Sequence, residues 1–317
     1  MLNVFPHRFS GDSAPPIWLD LCDPTPAETA EVEKLTGLHV PSRSRLDEVE
    51  YSSRFGFCDG VLSLSAPMFA HGGPDAPSMA PVGFVLSRDV LVTIRYSALH
   101  AFDAVAARFE ATTTTPKVGL EVFVALCGEI VDRLADSLEK AATELRGIST
   151  ATFHVPDGGG RRVIRSNRVI RARLRQIGRL GDHLSETRNT LLGVGRAVEF
   201  ACNLTEDWFD GRLQPEMRTL RQDVGSLDDY EVHLADKVQF LLDAMMGLIG
   251  IAQNDVFKTL TIVSIAGIPP TLIAGIYGMN FKGMPEYDWT YGYPYGLAVI
   301  AASAIVPLVW FKWRGWF

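Results

Sequence analysis

One face of the segment 254–278 combines polar, small and bulky apolar side chains, a mixture that can line a pore. Its members follow one another at steps of three or four residues, which is helical spacing: Asn254, Phe257, Leu260, Ser264, Ile268, Thr271, Gly275 and Gly278. Around a symmetry axis this face would line a pore with alternating wet and hydrophobic rings. Gly, Ser and Thr are also the residues through which membrane helices pack closely. The spacing by itself leaves both interpretations open.

Most of this face lies in the first of two long uncharged stretches. Between Lys258 and Lys282, and again between Asp288 and Lys312, 23 consecutive residues include no Asp, Glu, Lys or Arg. A helix needs about 20 mostly apolar residues to cross a bilayer. The sequence therefore predicts two membrane helices, and helices of a soluble core are a weaker explanation because they rarely lack charge for so long.

Aromatic and basic residues indicate how these helices would lie in the membrane. Aromatic side chains mark both ends of the second stretch, as in interfacial belts: Trp289, Tyr291, Tyr293 and Tyr295, then Trp310, Trp313 and Trp316. Lys258, Lys312 and Arg314 flank the two stretches, whereas the connecting loop is acidic. The positive-inside tendency and the absence of a signal-peptide pattern predict a multi-pass protein of the inner (plasma) membrane with both termini in the cytoplasm.

The residues before these stretches hold nearly all the charge, and they predict an α/β domain followed by long helices. Strand-like runs occur at 17–21, 82–86 and 90–94. After the first of them, Thr25 and Glu28 form a capping box, which predicts the start of a helix. Helical periodicity dominates from Val118 onward. The predicted divisions are an N-terminal α/β cytoplasmic domain at 1–117, cytoplasmic helices at 118–210, the stalk part of a long helix at 211–258, a pore-lining membrane helix at 259–281, an external loop at 282–290, a second membrane helix at 291–311 and a cytoplasmic tail at 312–317.

A near-heptad apolar seam occupies most of the stalk. It consists of residues three or four apart: Leu220, Val224, Leu227, Tyr230, Leu234, Val238, Leu241, Met245 and Leu248. No proline interrupts the chain from Glu216 to Ile268, so we expect one helix of some fifty residues that continues into the first membrane span. A seam this long needs partners, and we expect oligomerisation to supply them.

Eight arginines between Arg161 and Arg179 form the most basic segment. Such a segment can bind nucleic acid or anionic lipid. The sequence favours a solvated helix face instead, paired with carboxylates of a neighbouring helix such as Asp132, Asp136 and Glu139.

Composition excludes several classes of function. The net charge of −7 argues against a general nucleic-acid binder. The four cysteines, none spaced as in a zinc knuckle or redox dithiol, are expected to be ordinary thiols. No Ser/His/Asp set, phosphate loop or cofactor motif appears, so we expect neither an enzyme nor a bound cofactor.

The first span ends with Gly278, Met279 and Asn280, within the run PTLIAGIYGMNF. This end resembles the CorA family of divalent-cation channels, whose mark is a Gly-Met-Asn triplet closing the first of two C-terminal membrane helices. The similarity extends from NDVFKTLTI before the span to MPE and GYP after it, and is weaker over TGLHVP and LDEVEYSSRF in the N-terminal part. It implies a funnel-shaped homopentamer that transports Mg²⁺, with Co²⁺ or Ni²⁺ as further ions.

The resemblance also implies residue roles. Gly278, Met279 and Asn280 would form the selectivity filter, with Asn280 as the outer ring. Asn254, Thr271 and Gly275 would be polar pore positions, and Phe257 and Leu260 the hydrophobic constriction. Five amide oxygens can bind the water shell of Mg²⁺, which dehydrates reluctantly, without stripping it.

Acidic residues would attract and sense the ion. Glu286 and Asp288 in the outer loop would raise the local cation concentration. Asp243 stands where the family has a stalk aspartate for regulatory Mg²⁺, and its partner in the next subunit would be Asp47 or Glu48.

Two other functions stay open at this point. The first is a Zn²⁺ or proton-coupled transporter on the same frame, although Met279 favours the magnesium branch because the zinc-transporting branch typically carries Gly-Val-Asn. The second is a membrane-tethered scaffold that uses the arginine-rich helix as its binding surface.

Overall fold

The computed structural model describes residues 1–5, 16–48, 50–70, 78–111, 116–153, 167–204, 208, 213–279 and 289–316. Six strands occupy the N-terminal part: β1 (Leu2–Phe5), β2 (Trp18–Cys22), β3 (Phe55–Cys58), β4 (Val61–Ala70), β5 (Ser78–Leu86) and β6 (Leu91–Arg95). They form one sheet in the order β1-β2-β6-β5-β4-β3. Only β2 and β6 pair in parallel within the described chain, and the β5–β6 hairpin predicted from sequence is present with Leu86 opposite Leu91.

Four short helices accompany the sheet: α1 (Pro26–Thr36), α2 (Arg43–Leu46), α3 (Tyr51–Arg54) and α4 (His100–Ala111). The predicted capping box starts α1, because the Thr25 hydroxyl accepts a hydrogen bond from the Glu28 N–H while Glu28 accepts one from the Thr25 N–H at 2.8 Å. Gly37 ends the helix in the left-handed conformation with φ of 70°, which a residue with a Cβ adopts only with strain.

Both faces of the sheet are covered. On one face Leu19, Leu21 and Val92 pack with Val32 of α1 and Leu46 of α2. On the other face the larger core gathers side chains of the sheet, of α4 and of the long helices that follow. The result is a three-layer α/β/α arrangement. The mixed pattern up to residue 117 predicts its α/β class, whereas the layer on the second face is completed by the long helices that follow.

A charged pair lies inside this domain. Arg95 and Asp20, on the parallel strands β6 and β2, are 2.9 Å apart with side chains only 6% and 3% exposed. Thr93 donates to Asp20 at 2.8 Å, and the Trp18 indole donates to Thr93 at 3.0 Å. Burial lowers the pKa of Arg95, but the hydrogen bond to Asp20 and the charges of Asp20, Cys22 and Asp103 together raise it by more, so the net direction is upward. The sequence alternation predicted a strand here without showing that its polar member is buried.

Four long helices complete the chain: α5 (Gly119–Phe153), α6 (Asn167–Leu204), α7 (Leu213–Tyr277) and α8 (Gly292–Trp313). The start of α5 approaches the β5–β6 hairpin so closely that a Cβ on Gly119 would lie 2.4 Å from the Val90 carbonyl carbon. The helix α7 is 65 residues long and continues through Pro269 and Pro270, which confirms the predicted continuous helix.

The helices α6 and α7 pack antiparallel in a seven-residue register. A Cβ on Gly181 would contact Val238, and one on Gly195 would meet Val224. Midway between these contacts, Arg188 Nη1 lies 3.2 Å from Glu231 Oε2. Each step of seven residues forward on α6 thus corresponds to seven residues backward on α7, the spacing of a coiled-coil seam.

This packing corrects the expectation that the stalk seam needs other subunits. Leu220, Leu234, Val238 and Leu241 are at most 8% exposed within the single chain. Tyr230 departs from the seam and is 37% exposed. Heptad spacing predicts that an apolar stripe is buried but does not identify the partner. In this protein, helices of the same chain bury most of the stripe.

The predicted ion pairs of the arginine-rich segment are also absent from the described residues. Asp132, Asp136 and Glu139 do not pair there with the described arginines of α6; the nearby pair on α5 joins Arg133 to Glu129 at 2.9 Å.

The chain separates into two compact units. One contains residues 1–155 and 173–241, and the other contains 156–172 and 242–317. The second unit holds both apolar helical stretches. The domain limits predicted within α7 and around the loop stay predictions.

Candidate functional site

The two C-terminal apolar helices are exposed to a degree that a soluble core helix would not tolerate. Both α7 and α8 are long and apolar enough to cross a membrane. In the most apolar 18-residue stretch of α7, 0% of the residues are buried, and in α8 the share is 11%. Helices of a soluble core would be mostly buried, so lipid or further copies of the chain must cover these surfaces.

The structure places the predicted pore face along the second part of α7. Phe257, Leu260 and Ile268 are 66%, 60% and 64% exposed. An open groove follows the same face of the helix and unites five predicted residues with four neighbours: Ser264, Ile268, Thr271, Gly275 and Met279 with Val263, Gly267, Leu272 and Ile276. These four neighbours were missed from sequence because only one row of helical positions was considered, although each lies one turn or one position from that row.

The hydroxyl of Thr271 in this groove forms a hydrogen bond with the backbone of its own helix. It donates to the Gly267 carbonyl at 2.8 Å, one turn earlier in the helix. A hydroxyl offers one hydrogen and two lone pairs, so the oxygen keeps acceptor capacity toward the groove. Asn254 lies on the same helix with an exposed side chain. Both groups can accept or donate hydrogen bonds to water around a cation.

The end of α7 is tightened by two backbone hydrogen bonds. The Gly278 N–H donates to the Ala274 carbonyl at 2.9 Å, and the Met279 N–H donates to the Ile276 carbonyl at 3.1 Å. A Cβ on Gly278 would lie 3.3 Å from the Ala274 oxygen, so the glycine allows the backbone to close in. The last carbonyls of a helix carry the negative end of its dipole, which favours cations at this position.

Three predicted site residues lie outside the described residues. They are Asn280, the outermost member of the predicted filter, and the loop carboxylates Glu286 and Asp288.

The predicted regulatory carboxylates are all exposed. Asp47 forms an ion pair with Arg43 at 3.9 Å, and the Glu48 carbonyl accepts a hydrogen bond from Arg54 Nε at 2.6 Å. Asp243 lies on α7, in the other compact unit. Among the described residues no three His, Cys, Asp or Glu side chains come close enough to hold a metal ion.

Aromatic clusters stand at both ends of α8. At its beginning, the Trp289 ring centroid lies 6.4 Å from that of Tyr291 and 5.5 Å from that of Tyr295. At its end, Phe311 packs against Trp316 with centroids 4.9 Å apart, and Arg314 lies over the Trp310 ring. The helix between them has 22 residues, about 33 Å at 1.5 Å per residue, which matches the thickness of a hydrocarbon core.

The chain combines an α/β domain, a long helix and two helices of membrane-spanning length. A related protein is expected to share this architecture. Residues 13–313 match the family described as CorA-like Mg²⁺ transporter protein. The chain belongs to this family. Membership confirms the prediction of a membrane transport protein for divalent cations and not an enzyme, with Mg²⁺ as the ion that the family transports and no cofactor.

Relatives within the CorA family match over nearly the whole chain. The magnesium transport protein CorA of Haemophilus ducreyi is 31% identical over 300 residues, which are 95% of this chain and 92% of the relative. That of Wolinella succinogenes is 27% identical over 336 residues and covers 100% of both chains.

A solved structure shares the architecture. The CorA magnesium transporter from Methanocaldococcus jannaschii superposes with a TM-score of 0.77 at 19% identity, over 98% of this chain and 94% of that chain. This likeness confirms the predicted fold class: an N-terminal α/β domain, a long helix and two C-terminal apolar helices.

Proposed function

We propose that this chain assembles as a homopentamer and conducts hydrated Mg²⁺ along an axis lined by the second part of α7. The observation that carries the proposal is the exposed face with Ser264, Ile268, Thr271 and Gly275 in one groove, on a member of a magnesium transporter family. Several copies around an axis would cover this face and leave a central passage.

Ion selection in this proposal takes place at the outer end of α7. Gly278 and Met279 form the tightened turn, and Asn280 follows directly in the chain. A ring of five amide oxygens would accept hydrogen bonds from the water shell of the ion and release it again, whereas carboxylates would hold it too tightly. Glu286 and Asp288 would attract cations from outside, and Co²⁺ or Ni²⁺ would pass by the same route.

Polar and apolar rings alternate along the rest of the proposed passage. Thr271, Gly275 and Asn254 would be polar positions that contact the water shell of the ion. Ser264, which lies between Asn254 and Thr271 in the helix, would contribute a further hydroxyl. Leu260 and Phe257, which are bulky and exposed toward the same face, would close the passage by excluding water.

The membrane orientation is part of the proposal. Lys258 before the first span, and Lys312 and Arg314 after the second, would face the cytoplasm in the inner membrane. The α/β domain and both termini would then lie on that side, with the acidic loop outside.

Regulation would come from cytoplasmic Mg²⁺. Asp243 of one subunit and Asp47 or Glu48 of the next would share the ion in the closed state. Loss of the ion would leave carboxylates that repel one another and favour opening, provided the closed arrangement binds Mg²⁺ more tightly than the open one.

Flux of Mg²⁺ into proteoliposomes tests the proposal, with and without a pH gradient. We expect the wild-type chain to conduct Mg²⁺ without a pH gradient and Asn280→Ala or Asn280→Gly to abolish the flux. Asn189→Ala, which removes an exposed amide from α6, serves as the matched control and retains flux.

Three outcomes contradict the proposal. Zn²⁺ uptake driven by protons, with no Mg²⁺ flux, would assign the chain to another ion and mechanism. A wild-type chain that conducts no divalent cation would favour a membrane-tethered scaffold, and images along the axis that show no fivefold passage would reject the pentameric pore.

A further inference from the structure

An arginine stripe runs along the first part of α6. Its members are three or four residues apart and all four side chains are exposed: Arg168, Arg171, Arg175 and Arg179. The opposite face of the helix carries Ile170, Ile177 and Leu180, which are at most 7% exposed. At 3.6 residues per turn these two sets lie on different sides of α6. The arginines therefore point away from the surface that packs.

Within the described residues these four arginines form no ion pair, although the chain as a whole carries a net charge of −7. Arg173, which lies off the stripe, donates instead to Thr152 of α5 at 3.1 Å. Exposed like charges repel one another, and none of these four arginines has a carboxylate partner among the described residues, so an anionic partner would relieve the repulsion along the stripe.

The beginning of the stripe belongs to the unit that contains the membrane helices. Residues 167–172 share that compact unit with residues 242–317. The contacts that define the seven-residue register of α6 and α7 lie at Gly181, Arg188 and Gly195. Extrapolated along both helices, the same register would set Arg171 level with Leu248 and Arg168 level with Ile251. Ile251 precedes Lys258, where the uncharged stretch begins, by two helical turns, or about 10 Å. This distance is close to one Debye length at physiological salt.

We infer that Arg168 and Arg171 bind anionic lipid headgroups of the cytoplasmic leaflet. The orientation that this requires rests on the proposed function. Arg314 and Lys312 end the second span on the same side, so the stripe would extend the basic belt of the membrane surface. Basic side chains near an anionic leaflet each gain about fivefold in partitioning, and the guanidinium group suits phosphate because it donates two parallel hydrogen bonds.

Lipid binding to the full-length chain in detergent tests this inference. Bound lipid is counted by native mass spectrometry during titration with phosphatidylglycerol, phosphatidylcholine or inorganic phosphate. We expect tighter binding of phosphatidylglycerol than of phosphatidylcholine. The double variant Arg168→Gln/Arg171→Gln should lose up to about 25-fold in apparent affinity for phosphatidylglycerol, and Arg168→Lys/Arg171→Lys should lose far less.

The matched control is Arg218→Gln/Arg221→Gln, which removes two exposed arginines of the same spacing from the part of α7 in the other unit. An equal loss in this control, no preference for phosphatidylglycerol, or inorganic phosphate displacing it at equal concentration would each overturn the inference. Mg²⁺ flux in phosphatidylcholine vesicles is measured in parallel. Absence of flux in the wild type would reject the proposed function, and the difference in lipid binding between the variants would still decide the inference.

Discussion

Arg188 of α6 and Glu231 of α7 form an ion pair of unequal burial. Nη1 of Arg188 lies 3.2 Å from Oε2 of Glu231, yet the arginine side chain is 43% exposed and the glutamate side chain only 2%. The same Oε2 has no partner with hydrogen-bond geometry among the described residues, so the contact is electrostatic. Burial raises the pKa of Glu231, Arg188 lowers it, and the nearby Asp228 raises it further.

Removing the arginine should therefore destabilise the helical bundle. Arg188→Ala leaves a buried carboxylate without its counter-charge, and we expect it to cost about 2 kcal/mol of the free energy of unfolding. Arg188→Lys should cost less because the charge remains. Chemical unfolding of the purified chain in detergent, followed by circular dichroism, measures both. Arg196→Ala, an exposed arginine of the same helix, should change stability little, and an equal loss there would reject the explanation.

The raised pKa of Glu231 predicts how stability depends on pH. The folded chain holds the Glu231 proton more tightly than the unfolded chain, whose glutamates have a pKa of about 4.3. Stability from this group is therefore greatest below that value and falls as the pH rises through the pKa of the folded state. Glu231→Gln should flatten this part of the curve. Melting temperatures measured from pH 4 upward, in steps of about half a unit, compare the two chains, and parallel curves would contradict the prediction.

Gly119 should tolerate no side chain. A Cβ there would lie 2.4 Å from the Val90 carbonyl carbon and 2.6 Å from the Leu91 nitrogen, and backbone atoms cannot move aside as a flexible side chain does. We expect Gly119→Ala to destabilise the α/β domain by about 2 kcal/mol. Gly128→Ala in the same helix has nothing within 4 Å and should be neutral or stabilise by about 0.5 kcal/mol. Thermal unfolding distinguishes them, and similar effects would show that α5 can shift away from the hairpin.

Gly278 should matter for conduction more than for folding. Its missing Cβ would lie 3.3 Å from the Ala274 oxygen and 3.4 Å from the Gly275 oxygen, so Gly278→Ala displaces the last turn slightly and with it the start of the filter. We expect a several-fold loss of Mg²⁺ flux at unchanged melting temperature. Gly250→Ala, also on α7 and with nothing within 4 Å, should keep its flux; if both variants conduct as the wild type does, the tight turn has no part in selection.

Asp243 should set the sensitivity to cytoplasmic Mg²⁺. Asp243→Ala removes the stalk carboxylate of the proposed regulatory site, so higher Mg²⁺ should be needed to close the passage and to protect the cytoplasmic part from protease. Asp223→Ala removes an exposed aspartate from another face of the same helix and should leave the Mg²⁺ dependence unchanged. Identical protection curves for Asp243→Ala and the wild type would reject the assignment.

Local sequence signals predicted most of the elements. Thr25 and Glu28 started α1 as expected, because a capping box needs only four consecutive residues. The uncharged stretches identified both membrane helices, since the length and the apolar character of a span are properties of the segment itself. The helical row from Asn254 to Gly275 lies along one face of α7, where every member except the half-buried Ser264 is exposed.

Tertiary structure alone decided which surfaces are buried and against what. The stalk seam has the spacing of an intersubunit contact, yet Leu220, Leu234, Val238 and Leu241 of this seam are buried within the single chain. Asp20 and Glu231 look like surface residues in sequence and are 2% exposed in the fold. Helix periodicity and residue type are local properties that a few turns of sequence reveal. Burial depends instead on contacts with segments that are far apart in the chain. The partner of Glu231 is 43 residues away and that of Asp20 is 75 residues away, so no local pattern could identify either.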